Sequence, residues 1–265
     1  MREEILTCLP LDYPWKTQLY CFSELDSTNN RLKLMARQGA PHGTVLIADR
    51  QTGGRGRMGR TFLSPAGMGI YLSILLRPKC LPSELMHMTC AVGAAMCDAV
   101  EKSAGFRPGI KWTNDLVWRK HKLGGILVEL GLNPEGGVDY AIAGIGINCC
   151  QCPEDFPPEL RSVATSLQMA AGHPVDRSRV AASMMESLWK MSQTLLTEKD
   201  AMLTRYRRDC ITIGQEISLL RGEKVRRGKA LDVDENSALV VAFSDGSVEA
   251  VNSGEVSVRG MYGYV

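Results

Sequence analysis

The apolar positions of the N-terminal part alternate between strand-like runs and a segment with helical spacing. The run around Leu19 to Leu25 predicts a strand, and after the capping residues of "DSTNN" a helix follows that ends near Gly39. "GTVLIAD" and "GIYLSILL" are rich in β-branched and aromatic residues and predict two more strands. About twenty residues join these two strands, a length that is unusual in a compact domain and typical of a lid or binding loop.

The middle of the chain carries two amphipathic helical patterns with short strands between them. From Pro82 to Ala104 the apolar positions recur at helical spacing, and Gly105 is a typical stop residue. A second helical pattern runs from Val180 to Leu195 with spacings of three and four. Three strands are predicted between them, around Leu116 to Trp118, Leu123 to Leu130 and Tyr140 to Asn148. A mixed sheet covered by helices accommodates these elements.

Near Ile211 the pattern changes to short alternating runs divided by turn residues. "EISL", "ALVVAF" and "SVEAV" predict strands, and Arg221-Gly222 is one of the turn signals between them. This spacing predicts a small all-β barrel or sandwich. We therefore expect an α+β protein with a larger domain of residues 1–210 and a smaller one of residues 211–265.

The composition is that of an ordinary globular chain of 265 residues, with 45% hydrophobic and 23% charged residues. Its 31 basic and 29 acidic residues nearly cancel to +2, so no global field attracts nucleic acid or anionic lipid. Any affinity for anions must be local. Neither a long apolar run nor the pattern of a secretory signal appears, and we expect a cytoplasmic protein without a membrane span.

The nine cysteines are scattered without the paired spacings of a disulfide or zinc framework. Reduced thiols are therefore the default expectation. Cys90 and Cys97 are seven residues apart in the first helical pattern, where both are expected to be small core residues on one face.

The long loop contains the stretch from Gln51 to Arg60, "QTGGRGRMGR", which combines four glycines with three arginines. Glycine lets backbone amides approach a ligand, and guanidinium groups bind phosphate or carboxylate oxygens in pairs. The alternative to a ligand-binding loop is a solvated turn or an RNA-binding tail, but such tails do not lie between two strands of a core sheet. A nucleotide P-loop is excluded because no Lys-Ser or Lys-Thr follows the last glycine. The stretch predicts a mobile anion-binding loop.

Two further motifs place polar residues beside predicted strands. "KWTNDLVWRKHKLGGILVE" brackets a strand with four of them, Lys111, Asn114, Asp115 and Lys122. Each alone would be taken as a surface lysine or a turn-capping residue, but together with the arginine loop they indicate an acid or phosphate site. In "GIGINC" a strand punctuated by glycines ends at Asn148, a candidate donor to a nucleotide.

In combination, "GRGRMGR", "KWTNDL", "KLGGILVE" and "GIGIN" resemble the motifs of the biotin protein ligases. The similarity spans about residues 20 to 150, and the β-rich C-terminus looks like the SH3-like end domain of that family. The resemblance implies a catalytic domain of the class II aminoacyl-tRNA synthetase and biotin ligase type. It also implies that biotin and ATP, with Mg²⁺ on the phosphates, form biotinyl-5'-AMP, from which biotin passes to the acceptor lysine of a biotin carboxyl carrier protein.

The resemblance gives most candidates a place in a biotin and adenylate site. The implied biotin-binding residues are Ser27, Thr28, Asn29, Gln51, Arg55, Gly56, Arg57 and Lys122. The expected ATP- or adenylate-binding residues are Arg55, Arg57, Arg60, Asn114 and Asn148. Lys122 and Arg57 are expected to act in catalysis, Phe62 holds a place where an aromatic wall is usual, and no residue is expected to hold a resident metal. Thr113 departs from the family's common proline in "KWPND", which loosens a turn constraint only.

A lipoate ligase or octanoyl transferase is the nearest alternative, because these enzymes share the general fold and also modify a carrier lysine. Some of them use a cysteine nucleophile, for which Cys149, Cys150 and Cys152 are candidates. No histidine lies nearby in the sequence as a base, and the cysteine spacing suits no common metal site. Structural cysteines are the better interpretation.

A DNA-binding regulator is an alternative of another class, because some biotin ligases also repress transcription. The first core strand begins near residue 19, which leaves too little chain for an N-terminal helix-turn-helix, so no DNA binding is expected. A solvated face or a carrier-docking surface is the plainer interpretation of the basic residues Arg205, Arg207, Arg208, Arg221, Lys224, Arg226, Arg227 and Lys229. The oligomeric state is left open, with a homodimer as one possibility.

Overall fold

A mixed seven-stranded sheet forms the centre of the larger part of the protein. The structure is a computed structural model, and it describes residues 1–221, 224–252 and 257–260. The strands of this sheet are β1 (Leu19–Leu25), β2 (Thr44–Gln51), β3 (Gly69–Leu76), β4 (Gly109–Lys111), β5 (Asp115–Trp118), β6 (His121–Leu132) and β7 (Val138–Asn148). Their order is β1-β2-β3-β7-β6-β5-β4. Strands β1 and β2 pair in parallel and the other neighbours pair antiparallel, which confirms the predicted mixed sheet.

Helices cover both faces of this sheet. They are α1 (Arg2–Cys8), α2 (Thr28–Arg37), α3 (Met88–Ala104), α4 (Leu167–Ala171), α5 (Arg177–Thr194) and α6 (Lys199–Asp209). Helix α2 packs on one face, where Leu32 meets Leu75 of β3. The other face belongs to the large core that includes α3 and α5, with Ile74 of β3 and Met96 of α3 among its members. Since β3 is buried on both faces, its sequence is apolar almost throughout instead of alternating.

The helix predicted from Pro82 to Ala104 is divided in two. A 3-10 turn covers Pro82–Leu85, and α3 begins at Met88 after His87. Its predicted end is confirmed, because Gly105 has a φ of 77° and closes the helix in the left-handed conformation. The predicted core residues Cys90 and Cys97 are fully buried in α3, and all nine cysteines are free thiols.

The C-terminal part forms a separate antiparallel sheet. Its strands are β8 (Glu216–Arg221), β9 (Lys224–Val233), β10 (Leu239–Phe243), β11 (Val248–Val251) and β12 (Ser257–Gly260). They are arranged in the order β11-β10-β9-β8-β12. The three predicted strands correspond to β8, β10 and β11, so the predicted all-β character of this part is confirmed. Arg221 ends β8, and Gly222 of the turn predicted there lies outside the described residues.

No helix in the described ranges is long and apolar enough to cross a membrane. The same ranges contain no group of three or more histidine, cysteine, aspartate or glutamate side chains that could hold a metal ion.

Candidate active site

One cavity is lined by the stretch from Gln51 to Arg60, which we call the Gly/Arg loop, and by the first residues of α2. The turn before β5 and the strands β6 and β7 complete its lining. Ten of the eleven residues predicted from the sequence line it, namely Ser27, Thr28, Asn29, Gln51, Arg55, Gly56, Arg57, Arg60, Asn114 and Lys122. Phe62, Lys111 and Asp115 line it as well. The cavity therefore joins motifs that are far apart in the chain, from Ser27 to Gly146.

Two glycines of β7 leave the sheet bare where the cavity meets it. A Cβ atom on Gly146 would lie 2.5 Å from Cε1 of Phe62, and a Cβ atom on Gly144 would overlap the amide group of Asn29. Both glycines are needed because side chains of α2 and of the loop approach the strand so closely. Phe62 also packs edge-on against Tyr71 with ring centroids 6.4 Å apart, which fixes one aromatic wall.

A network of neutral polar groups forms the part of the site at the start of α2. The backbone N–H and the hydroxyl of Thr28 donate to Oε1 of Gln51 at 2.8 and 3.0 Å. Nε2 of Gln51 in turn donates to the hydroxyl of Ser64 at 3.0 Å. The buried hydroxyl of Ser73 lies 2.7 Å from Oγ1 of Thr28 and 2.6 Å from Oδ1 of Asn29. Such a connected network holds donors and acceptors in fixed positions.

The Gly/Arg loop folds as a short hairpin. The N–H of Gly56 donates to the carbonyl of Arg60 at 2.6 Å. At the tip, Met58 and Gly59 have φ angles of 55° and 72°, in the left-handed region that favours glycine. Met58 in this conformation costs roughly 1 kcal/mol or more. The mobility of this loop and its binding of anions stay predictions.

Positive charge dominates the lining of the cavity. Five cationic side chains take part, from Arg55, Arg57, Arg60, Lys111 and Lys122. Among the described lining residues the one carboxylate is that of Asp115, which accepts from Nζ of Lys122 at 2.8 Å. A concave site with this excess of fixed positive charge attracts anions.

The turn between β4 and β5 sets the position of one arginine. Nδ2 of Asn114 donates to the carbonyl of Ile126 at 3.0 Å, and the N–H of Ile126 donates back to the carbonyl of Asn114 at 2.9 Å. The side-chain oxygen of Asn114 is then free to accept from Nη1 of Arg57 at 3.1 Å. Burial lowers the pKa of Arg57, and the nearby carboxylate of Asp115 opposes that effect. The partly desolvated guanidinium binds an entering anion more strongly than an exposed one would.

The structure does not bring Asn148 to this cavity. Its side chain is buried at the end of β7, where Nδ2 donates to the carbonyl of Thr165 at 2.9 Å and Oδ1 accepts from Gln151. These hydrogen bonds explain why a polar amide can be buried at this place. The nucleotide contact predicted for Asn148 has no support in this geometry.

Two participants were missed by sequence reasoning. Ser73 supports Thr28 and Asn29 from inside β3, and its signal was a lone serine in an otherwise apolar strand. Trp112 is buried and lines the cavity, and its indole N–H donates to the carbonyl of Ser237 at 3.1 Å. No local sequence pattern predicts that contact, because Ser237 lies far along the chain in the C-terminal sheet region.

The cysteines after β7 do not fit a nucleophilic role. Cys149 is fully buried, burial raises the pKa of its thiol well above the ordinary value, and it does not line the cavity. Cys150 and Cys152 are also absent from the cavity lining. A thiol of that kind stays protonated and unreactive.

Relatives match this chain over nearly its whole length. A biotin–[acetyl-CoA-carboxylase] ligase of Mycobacterium tuberculosis is 32% identical, with 91% of this chain and 89% of the relative covered. The chain belongs to the biotin protein ligase family. A bifunctional ligase/repressor BirA of Bacillus subtilis is 33% identical over 88% of this chain and 72% of the relative.

Family models and solved structures agree with this membership. Residues 21–148 match the Biotin/lipoate A/B protein ligase family, and residues 212–259 match the Biotin protein ligase C terminal domain. A biotin protein ligase from Aquifex aeolicus in complex with biotin and ATP superposes with a TM-score of 0.78 at 32% identity, covering 91% of this chain and 98% of that one. The first description covers biotin and lipoate ligases together, whereas the second names biotin protein ligases alone.

Proposed function

We propose that this protein is an ATP-dependent biotin ligase that forms biotinyl-5'-AMP and transfers biotin to the acceptor lysine of a biotin carboxyl carrier protein. The observation that carries the proposal is one cavity that combines a fixed neutral polar network with five cationic side chains. The first suits the uncharged ring system of biotin, and the second suits its carboxylate and the phosphates of ATP. The relatives named as biotin ligases and the Aquifex aeolicus structure with biotin and ATP support the same assignment.

In this proposal the neutral network binds the ring of biotin. The ureido group presents one carbonyl and two N–H groups, so it needs donors and acceptors at fixed places. Hydroxyl and amide groups of Ser27, Thr28, Asn29 and Gln51 provide both kinds. Since Thr28 and Gln51 already bond to each other and Asn29 is held by Ser73 and Glu129, little side-chain ordering remains to be done when biotin enters.

The cationic side chains act on the first chemical step. An oxygen of the biotin carboxylate attacks the α-phosphorus of ATP, the bond to the bridging oxygen of the β-phosphate breaks, and pyrophosphate leaves with the electron pair. Arg57 and Lys122 are placed to stabilise the charge on carboxylate and phosphate oxygens, while Arg55, Arg60 and Asn114 hold the nucleotide and Gly56 allows the loop backbone to approach.

Mg²⁺ would enter with ATP and would offset the negative charge of the phosphate oxygens. The described residues offer no cluster of ligands for a resident metal ion, and Asp115 carries the one carboxylate among the described residues of the cavity lining. Mg²⁺ commonly binds through substrate phosphates, water and one or two carboxylates. We propose the Mg²⁺ complex of ATP as the substrate.

In the second step the carrier is the partner. The neutral amine of its lysine attacks the carbonyl carbon of the mixed anhydride, AMP leaves, and the amine loses a proton as the amide forms. We also propose the division into residues 1–210 and 211–265 as catalytic and C-terminal domains, in line with the family match to 212–259. A cytoplasmic location, absence of DNA binding and a homodimer stay predictions.

Incubation of the protein with biotin, ATP, Mg²⁺ and a biotin carboxyl carrier domain tests the function. The expected result is a gain of one biotinyl group on the carrier by mass spectrometry, dependent on ATP. A carrier with its acceptor lysine replaced by arginine and a lipoyl carrier domain are the controls, and both are expected to stay unmodified. Modification of the lipoyl carrier with lipoate, and none with biotin, would overturn the assignment.

A further inference from the structure

Glu129 of β6 lies between the candidate biotin pocket and the Gly/Arg loop. Its side chain is 22% exposed and belongs to a hollow next to the main cavity, which shares Arg55 and Arg57 with it. An acidic side chain beside a site built to attract anions opposes the local charge. It therefore calls for a physical explanation.

The two oxygens of this carboxylate accept hydrogen bonds from different residues. Oε2 accepts from Nδ2 of Asn29 at 2.8 Å. Oε1 accepts from Nζ of Lys33 at 2.5 Å and from Nη2 of Arg55 at 3.4 Å. Although burial opposes it, the hydrogen bonds from Lys33 and Asn29 hold the pKa of Glu129 below its ordinary value. The group is thus an anionic acceptor at neutral pH.

The first contact decides which way the amide of Asn29 faces. A carboxylate can only accept hydrogen bonds, so it selects the NH₂ side of the amide. The carbonyl of Leu127 accepts from the same nitrogen at 3.3 Å, and Oδ1 faces the hydroxyl of Ser73. With the bulk of the amide fixed against Gly144, Asn29 presents one defined edge to the cavity.

The second contact anchors the start of the loop. Nη2 of Arg55 donates both to Oδ1 of Asn30 at 2.6 Å and to Glu129. Arg55 is therefore tied to α2 and β6, two of the elements that line the cavity. One carboxylate holds a pocket residue with one oxygen and a loop residue with the other.

We propose that Glu129 is a positioning residue of the adenylation site. It orients Asn29 toward biotin and anchors the Gly/Arg loop through Arg55. The part that concerns biotin rests on the proposed function. The part that concerns the loop does not, because the contact between Arg55 and Glu129 joins two side chains of the protein itself.

Glu129→Gln tests both parts, since it removes the charge at nearly constant volume. The KM for biotin in pyrophosphate release is expected to rise on the order of tenfold, the usual effect of losing one hydrogen bond to a charged group. The kcat is expected to change by less than about threefold, because the contact is equal in the ground state and the transition state. In the ligand-free protein, trypsin cleavage after Arg55 is expected to become several times faster.

The matched control is Glu186→Gln on α5. Glu186 is 13% exposed and accepts from Nζ of Lys102 at 2.7 Å, so it is also a half-buried glutamate paired with lysine, but it does not line the cavity. The control is expected to keep the KM and the cleavage rate of the unaltered protein. Thermal unfolding of both variants separates a loss of stability from a loss of positioning.

A folded Glu129→Gln protein with unchanged KM for biotin and unchanged loop cleavage would overturn the proposal, whatever its melting temperature. If that variant does not fold, Glu129→Asp keeps the charge but retracts it by one methylene, and the same two increases are expected from it. Failure of the proposed function is recognised separately, as unaltered protein that releases no pyrophosphate with biotin. The cleavage assay then still tests the anchoring of Arg55.

Discussion

Lys122 is the residue whose removal tests the adenylation chemistry most directly. Its ammonium group is 30% exposed and meets Asp115 at the cavity. Lys122→Ala is expected to lower biotin-dependent pyrophosphate release on the order of a hundredfold, because a fixed charge that stabilises the transition state is lost. The fold is expected to persist, since the side chain contributes no apolar core.

Lys102→Ala is the matched control for that variant. Lys102 on α3 makes a comparable ion pair with Glu186 but lies away from the cavity. Normal pyrophosphate release by Lys122→Ala, measured beside this control, would remove Lys122 from the catalytic step.

Single residues also mark how far sequence could predict the site. Lys122 and Asn114 stand in motifs whose residue types are specific in combination, and the structure brings both to one cavity. Asn148 stands in a motif as well, yet its amide bonds to Thr165 and Gln151 instead. Ser73 and Glu129 could not be assigned, because their roles depend on strand neighbours that no local pattern specifies.

At the scale of elements, the hairpin of the Gly/Arg loop is the part expected to respond to ligand. Few backbone hydrogen bonds hold it, and Met58 at its tip is 62% exposed. We expect biotin with Mg²⁺ and ATP to slow trypsin cleavage after Arg55 several-fold, because bound phosphate and carboxylate groups engage the arginines. Equal cleavage rates with and without these ligands would contradict a closing loop.

Elements with strong periodicity were predicted from sequence, and weakly periodic ones were not. Helix α3 was expected because buried side chains recur along it, and Gly105 ends it as predicted. Its beginning was misplaced, since the 3-10 turn at Pro82–Leu85 continues the same apolar spacing. Strand β9 was missed because its basic residues hide the alternation, and α6 because it buries few side chains.

The start of α3 also carries a titratable group that links its stability to pH. Nε2 of buried His87 donates to the carbonyl of Leu195 at 2.7 Å, while Nδ1 has no partner among the described residues. Burial lowers the pKa of His87 below its ordinary 6.5; the hydrogen bond to Leu195 opposes this effect and Lys199 reinforces it. The native protein thus binds fewer protons than the unfolded chain. The free energy of unfolding is therefore expected to fall as pH falls through 6.5.

His87→Gln tests this linkage because glutamine can still donate to Leu195 but does not titrate. Between about pH 7.5 and 5.5, urea unfolding is expected to give a shallower pH dependence for this variant than for the unaltered protein. Burial also lowers the pKa of His42, which accounts for part of the remaining slope. His173→Gln, at an exposed position, is the control, and a slope equal to that control would refute the assignment to His87.

At the scale of the whole molecule, the C-terminal sheet region contacts the turn between β4 and β5 directly. Trp112 donates two hydrogen bonds there, from its backbone N–H to the hydroxyl of Thr212 at 2.9 Å and from its indole N–H to the carbonyl of Ser237. Arg207 of α6 donates to the carbonyl of Val233 at 2.7 Å and adds a second link. Because Trp112 also lines the cavity, the C-terminal region supports one wall of the candidate site.

Trp112→Phe separates support of that wall from bulk stability. Phenylalanine keeps an aromatic ring in the buried position but cannot donate to Ser237, so we expect unfolding to become easier by about 1 kcal/mol. If the junction holds the cavity wall in place, pyrophosphate release falls as well, by several-fold at a temperature where the variant is fully folded. Trp118→Phe, half-buried beside Phe106 and outside the cavity lining, is the comparison. Lower stability with normal activity in Trp112→Phe would mean that the junction joins the two parts without shaping the site.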